Sequence, residues 1–143
     1  MVSSDQIKFV RGLLGTRYVL NSEDPSKGLD CWTATRLIQE KCFGRVLPRI
    51  AIQSADPRSY IKAVLEGEAL LNWQRIETPV HGCIVELVRG TVPNHVGTYF
   101  EIPEFKVHGL VHCLNGAGMV FDPIMTLHAA GWRRFTYNVP RNS

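Results

Sequence analysis

The sequence lacks any apolar run near the roughly 18 residues that a membrane-spanning helix needs. Its start, MVSSDQIKFVRGLLG, lacks the basic-then-apolar layout of a secretory signal. The chain is therefore expected to be made without an export signal and not to insert into a membrane. An excess of one charge is missing too, since 16 Lys plus Arg against 13 Asp plus Glu leave only +3. Lys8 with Arg11 and Arg133 with Arg134 are the main basic clusters, and both are short and flanked by apolar residues. This argues against a nucleic-acid-binding face. Cysteine is sparse: Cys31, Cys42, Cys83 and Cys113 are too few among 143 residues for a disulfide scaffold. No repeat, low-complexity tract or pool of Pro and Gly marks a boundary. With 45% hydrophobic and 20% charged residues, 1–143 reads as a single globular domain with a real core.

Helix patterns fill the first half and strand patterns the second, the layout of an α+β fold with segregated elements. Residues 5–14 predict a short amphipathic helix ending at Gly12 or Gly15. NSEDPSKG, 21–28, is dense in turn residues and reads as a loop. Asp30 then stands as a helix cap, with Cys31, Ala34, Leu37, Ile38 and Cys42 at helical spacing and Gly44 as the stop. A further helix is expected over 57–66. From Gly82 onward, CIVELV, HVGTYFEI, VHGLVHCL and GMVFDPI are β-rich runs separated by Gly, Pro and Asn, which suit an antiparallel sheet. A helical turn over 125–129 and a last strand within WRRFTYNVP complete the chain.

Cys31 falls at the first turn of its helix, where unpaired backbone N–H groups and the positive end of the helix dipole favour thiolate. The adjacent Asp30 carboxylate acts the other way, so a histidine would be needed to hold the ion pair. Taken alone, a helix cysteine is more often a small buried hydrophobe. Histidine placement adds the context. His95 heads one strand run and His112 lies 17 residues on, so a hairpin would bring the two together, His112 fixing the tautomer of His95. Nucleophile on a helix and base on a sheet is the arrangement of papain-like thiol hydrolases. Zinc is a weaker alternative: His81, Cys83, His108, His112 and Cys113 supply ligand types, but strand alternation would split His112 from Cys113.

These residues carry a resemblance. GTRYVLNSEDPSKGLDCW is similar to the signature of the NlpC family of cell-wall cysteine peptidases, in which Gly-Thr-Pro-Tyr precedes a loop and then Asp-Cys at a helix start. NHVGTYFE resembles that family's His-Val-Gly-Ile-Tyr strand, and GLVHCLNGAGMVFD its next strand. DCWTATRLIQEKCFGRVLP and the ending from His112 through Arg141 resemble more narrowly the NlpC-type proteins of phage tails and gene-transfer particles.

The resemblance implies a papain-like α+β domain with N-terminal helices packed on a C-terminal antiparallel sheet. It implies Cys31 as nucleophile, His95 as general base and acid, and His112 as the orienting third residue, with His108 as its rival. Tyr18 would assist substrate or oxyanion binding. Asp30 would recognise a substrate amine or simply cap the helix. Trp32 stands where bacterial members have Ser and would wall the cleft. The implied activity is hydrolysis of a peptide bond in the peptidoglycan stem peptide, without a cofactor. The implied setting is a virion tail acting in the periplasm or cell wall, with tail-tip proteins as partners. Two alternatives stand beside it: a tail-tip structural protein with an unused thiol, and a thiol acyltransferase or deamidase.

Overall fold

The computed structural model describes residues 2–50, 70–89 and 92–142. The helix expected over 57–66 lies outside them. The first helix, α1 (Ser4–Leu13), begins where Ser3 accepts the Gln6 N–H and the Gln6 side chain returns a bond to the Ser3 N–H. This reciprocal cap satisfies two backbone donors that a helix start leaves open. The second helix, α2 (Cys31–Phe43), is capped by Asp30 and ends at Gly44 in the left-handed region, φ 67°. The Gln6 amide donates to the Cys42 carbonyl at 2.7 Å and ties the two helices together.

Among the described residues six strands follow: β1 (Trp73–Ile76), β2 (Ile84–Arg89), β3 (Val92–Ile102), β4 (Val107–Leu114), β5 (Gly118–Pro123) and β6 (Arg134–Pro140). They form one sheet in the order β1-β6-β2-β3-β4-β5, each neighbour antiparallel. A 3-10 turn, Pro103–Phe105, joins β3 to β4, and a short helix, α3 (Ile124–Ala129), follows β5.

Both faces of the sheet are covered. Val10, Leu13, Leu29, Ala34 and Ile38 pack from the N-terminal side onto Phe100, Val111, Cys113 and Met119. On the other face Leu127 and Trp132 close over Val85, Leu87, Tyr99 and Leu110. Two covered faces explain why CIVELV reads as a nearly continuous apolar run and not as an alternating one. The four cysteines are all free thiols. Among the described residues no helix is long and apolar enough to cross a membrane.

The β2–β3 ladder carries a feature that bears on the site. Leu87 pairs with His95 and Val88 with Pro93, so Asn94 is an extra residue immediately before His95. Such a bulge bends the strand and re-aims the residue beside it.

Candidate functional site

Asp30 organises the start of α2. Its carboxylate accepts the N–H groups of Trp32 and Thr33, both at 2.9 Å, and that of Asn21 at 2.8 Å. Thr33 Oγ1 accepts the Asp30 N–H at 2.8 Å in return. Asp30 is fully buried, so its oxygens serve backbone donors as a helix cap does. Between these groups Cys31 is 6% exposed and packs with Trp32, Leu47, Ile84 and Val96. Burial pushes the thiol well above its ordinary range, the Asp30 charge and Cys113 add to this, and the backbone N–H dipoles of Val96 and Trp32 offset only part of it. The helix start alone therefore does not yield a thiolate: desolvation and the capping carboxylate outweigh it.

Tyr18 reaches the same place through a short parallel bridge to Leu29. The bridge needs Gly28, at φ 139°, because a Cβ there would lie 2.4 Å from Val19 Cγ2 and 2.9 Å from the Arg17 carbonyl oxygen. Burial first, then Cys31, Asp30 and Cys113, push the Tyr18 hydroxyl upward, which keeps it a donor. Trp32 is fully buried, and its indole N–H donates to the Pro48 carbonyl at 3.1 Å.

The sheet brings together a second group. His95 Nε2 lies 2.7 Å from His112 Nδ1, and His112 Nε2 lies 2.8 Å from Asp122 Oδ2. His112 is fully buried and His95 is 5% exposed. Strand register produces the chain. Thr98 pairs with Val111, so the next position sets Gly97 against His112. Gly97 shares a face with His95 two residues earlier, and its missing side chain leaves room for the His112 ring: a Cβ there would lie 2.9 Å from His112 Cβ. On β5, Val120 pairs with His112, and Asp122, two residues along, shares its face. Trp132 stacks on the His95 ring at 5.7 Å and 27°.

The two groups reach consecutive residues of β3: Val96 packs in one buried cluster with Cys31, and His95 begins the imidazole chain. His108 is elsewhere. It pairs with Glu101, is exposed, and its ring lies 6.0 Å from that of Tyr99. His81 joins Gln6 and the Glu101 N–H at 2.9 and 3.2 Å. Among the described residues no three His, Cys, Asp or Glu side chains gather as a metal site. Cys83 and Cys113 are buried and Cys42 is partly buried, against the apolar core.

By sequence the chain matches no protein-family model and no curated protein. By structure it is similar to the crystal structure of the NlpC/p60 domain of the peptidoglycan hydrolase SagA. The TM-score is 0.58 at 16% identity, over 96% of this chain and 98% of that one. The fold is that of an NlpC/p60 domain. The α+β, papain-like expectation, with helices packed on an antiparallel sheet, is thereby met.

Three features of the site were not anticipated from sequence. Asp122 ends the imidazole chain, and its signal was a lone carboxylate in the otherwise apolar GMVFDPI run. Trp132 stacks on His95 from outside the sheet, which no local pattern announces. Glu86 is a 4% exposed carboxylate within CIVELV, opposite Val96, accepting from Thr136 Oγ1 at 2.7 Å and Asn138 Nδ2 at 3.1 Å.

Proposed function

We propose that this chain is a thiol hydrolase that cleaves a peptide bond in peptidoglycan stem peptides. The observation that carries the reading is the chain His95–His112–Asp122, which begins one residue before Val96, a member of the buried cluster that holds Cys31. The likeness of fold to the NlpC/p60 domain supports the reaction class.

Hydrogen-bond chemistry gives the chain a direction. An ionised Asp122 is acceptor only, so His112 Nε2 carries the hydrogen and neutral His112 presents Nδ1 as an acceptor. His95 Nε2 must then donate, which leaves His95 Nδ1 as the basic nitrogen. In the proposed reaction that nitrogen takes the Cys31 proton and the sulfur attacks the carbonyl carbon of the scissile bond. Tyr18 and the Cys31 N–H serve the developing oxyanion. The proton then passes from His95 to the leaving amine, and water, deprotonated by the same nitrogen, hydrolyses the thioester and restores the thiol. Asp30 acts as the cap that fixes Cys31, and Trp32 as the buried wall behind it.

The scissile bond proposed is that between D-Glu and the diamino acid. The setting proposed is a phage tail or related particle, supported by the resemblance carried by DCWTATRLIQEKCFGRVLP. Incubation with purified sacculi, with mass spectrometry of the released fragments, tests the activity. Wild type is expected to release stem-peptide fragments and Cys31→Ala none. His112→Ala is expected to lose ~100-fold or more in kcat/KM, and His108→Ala to match wild type. No release by wild type, or equal loss in the two histidine variants, refutes the assignment.

A further inference from the structure

Beside the thiol helix lies a groove that the proposed chemistry does not use. The loop before α2 supplies Glu23, α2 supplies Trp32, Thr33 and Arg36, and the segment after it supplies Arg49 and Ile50. Arg49 grips both oxygens of Glu23, with Nε 2.7 Å from Oε1 and Nη2 on Oε2. Arg36 Nη1 donates to the same Oε1 at 2.8 Å, while its Nε is fixed by the Leu47 carbonyl at 3.0 Å. The two guanidiniums hold the Glu23 carboxyl below its usual range. Two cations thus converge on one carboxylate, leaving a net positive charge beside the partly exposed Ile50.

We propose that Arg36 and Arg49 form a carboxylate subsite of the substrate groove, and that Glu23 occupies it in the free protein until a carboxylate of an acidic stem peptide displaces it. The inference rests on the hydrolase reading and adds a substrate requirement to it. Forked guanidiniums match a carboxylate with two parallel bonds, so what holds Glu23 holds a substrate carboxylate equally well. Placement agrees. Arg36 and Arg49 line the same groove as Trp32 and Thr33, the two residues that follow Cys31 in α2. Displacement is also easy. The side chains of Glu23 and Arg49 are 34% and 74% exposed, and an ion pair so wet contributes little to stability.

The experiment measures binding to the full chain carrying Cys31→Ala, by calorimetry, of a synthetic stem tetrapeptide with free carboxylates and of its amidated counterpart. Arg49→Ala is expected to weaken the acidic peptide about 10-fold and Arg49→Lys by less, because Lys keeps the charge and loses the fork. Glu23→Gln removes the internal competitor and is expected to tighten the same peptide about 5-fold. The amidated peptide should respond to none of these changes. Opposite signs for Glu23→Gln and Arg49→Ala are the signature, since a merely structural ion pair would make both variants fail alike. Shifts of the same sign, equal effects on the two peptides, or no shift overturn the subsite. If wild type still releases fragments from sacculi in any of those cases, the hydrolase reading survives. If neither peptide binds and nothing is released, both fall.

Discussion

Gly97→Ala is the sharpest test of how the imidazole chain is built. Gly97 sits in an extended strand with no positive φ, so an alanine there meets no backbone penalty and acts only through space. Its Cβ would lie 2.9 Å from His112 Cβ, 3.1 Å from Leu110 Cδ2 and 3.1 Å from the Val111 carbonyl oxygen, whereas ordinary contact begins at 3.4 Å. His112 would have to retreat by about 0.5 Å. It is held at 2.7 Å to His95 and 2.8 Å to Asp122, so the retreat stretches the first bond to about 3.2 Å and spoils its angle. Overpacking of this kind costs about 1–3 kcal/mol. In the proposed reaction a displacement of half an ångström in the orienting group costs about 10-fold in kcat/KM. Urea denaturation and fragment release from sacculi, on wild type and variant in parallel, measure the two effects. Gly12→Ala is the control: nothing lies within 4 Å of a Cβ at that helical position, and alanine there should stabilise by ~0.5–1 kcal/mol with activity unchanged. A Gly97→Ala protein with full stability and full activity refutes the claim that this glycine makes room for His112.

Three further substitutions probe the fold and the start of the thiol helix. Burial pushes His81 from 6.5 down to about 4, so the folded protein favours the neutral ring and the unfolded chain takes up the proton first as pH falls. The stability His81 contributes is complete above pH 6.5 and is lost between 6.5 and about 4. For a half-buried group the loss should be ~1–2 kcal/mol. Urea midpoints at pH 7.5, 5.5 and 4 should fall more steeply for wild type than for His81→Gln, and parallel slopes would contradict this. Asp30→Ala strips the acceptor from three backbone N–H groups and should cost ~3 kcal/mol in the same measurement. Asp30→Asn, which keeps part of the cap and removes the charge that raises the Cys31 thiol, should alkylate faster at Cys31 with iodoacetamide; an unchanged rate would mean that the charge is not felt there.

Elements with local punctuation were legible in the sequence, and those fixed by distant pairing were not. Asp30 and Gly44 bracket α2 at the expected residues because cap and stop are encoded in the residues themselves. The first helix and the helical turn before the last strand likewise fall within a residue of expectation. β1 carried no signal: WQRI is four residues with two polar ones, and its partner is β6, over sixty positions away. β3 begins at Val92, before His95, because Pro and Asn in VPN read as turn residues while the sheet pairs them around a bulge. His112 and His108 are four apart and point the same way, so alternation cannot choose between them. Register does, since it sets His112 against Gly97 and moves His108 about 13 Å down the strand. For Cys31 the local reading set the helix start against the Asp30 charge, and the sheet adds from afar the desolvation that pushes the thiol further up.

That desolvation bears on how the proposed site would work. A thiol raised by burial and by Asp30 stays protonated at neutral pH, so thiolate can form only when the proton has somewhere close to go. Neutral His95 offers Nδ1 because its Nε2 hydrogen is committed to His112, and His112 is committed to Asp122. Once His95 is charged, the same chain runs from an imidazolium through a neutral ring to a carboxylate, which stabilises the charge in a place where water cannot. The buried environment that opposes the lone thiolate also magnifies its attraction to an imidazolium, which offsets part of the cost of burying the two charges. A thiolate of high proton affinity is also the better nucleophile once formed. On this reasoning Cys31 reactivity belongs to the assembled chain of side chains and not to the helix start. Wild-type Cys31 should alkylate faster than half-buried Cys42, pushed up to about 11 by burial alone, and His95→Ala should remove that advantage while leaving Cys42 as it was.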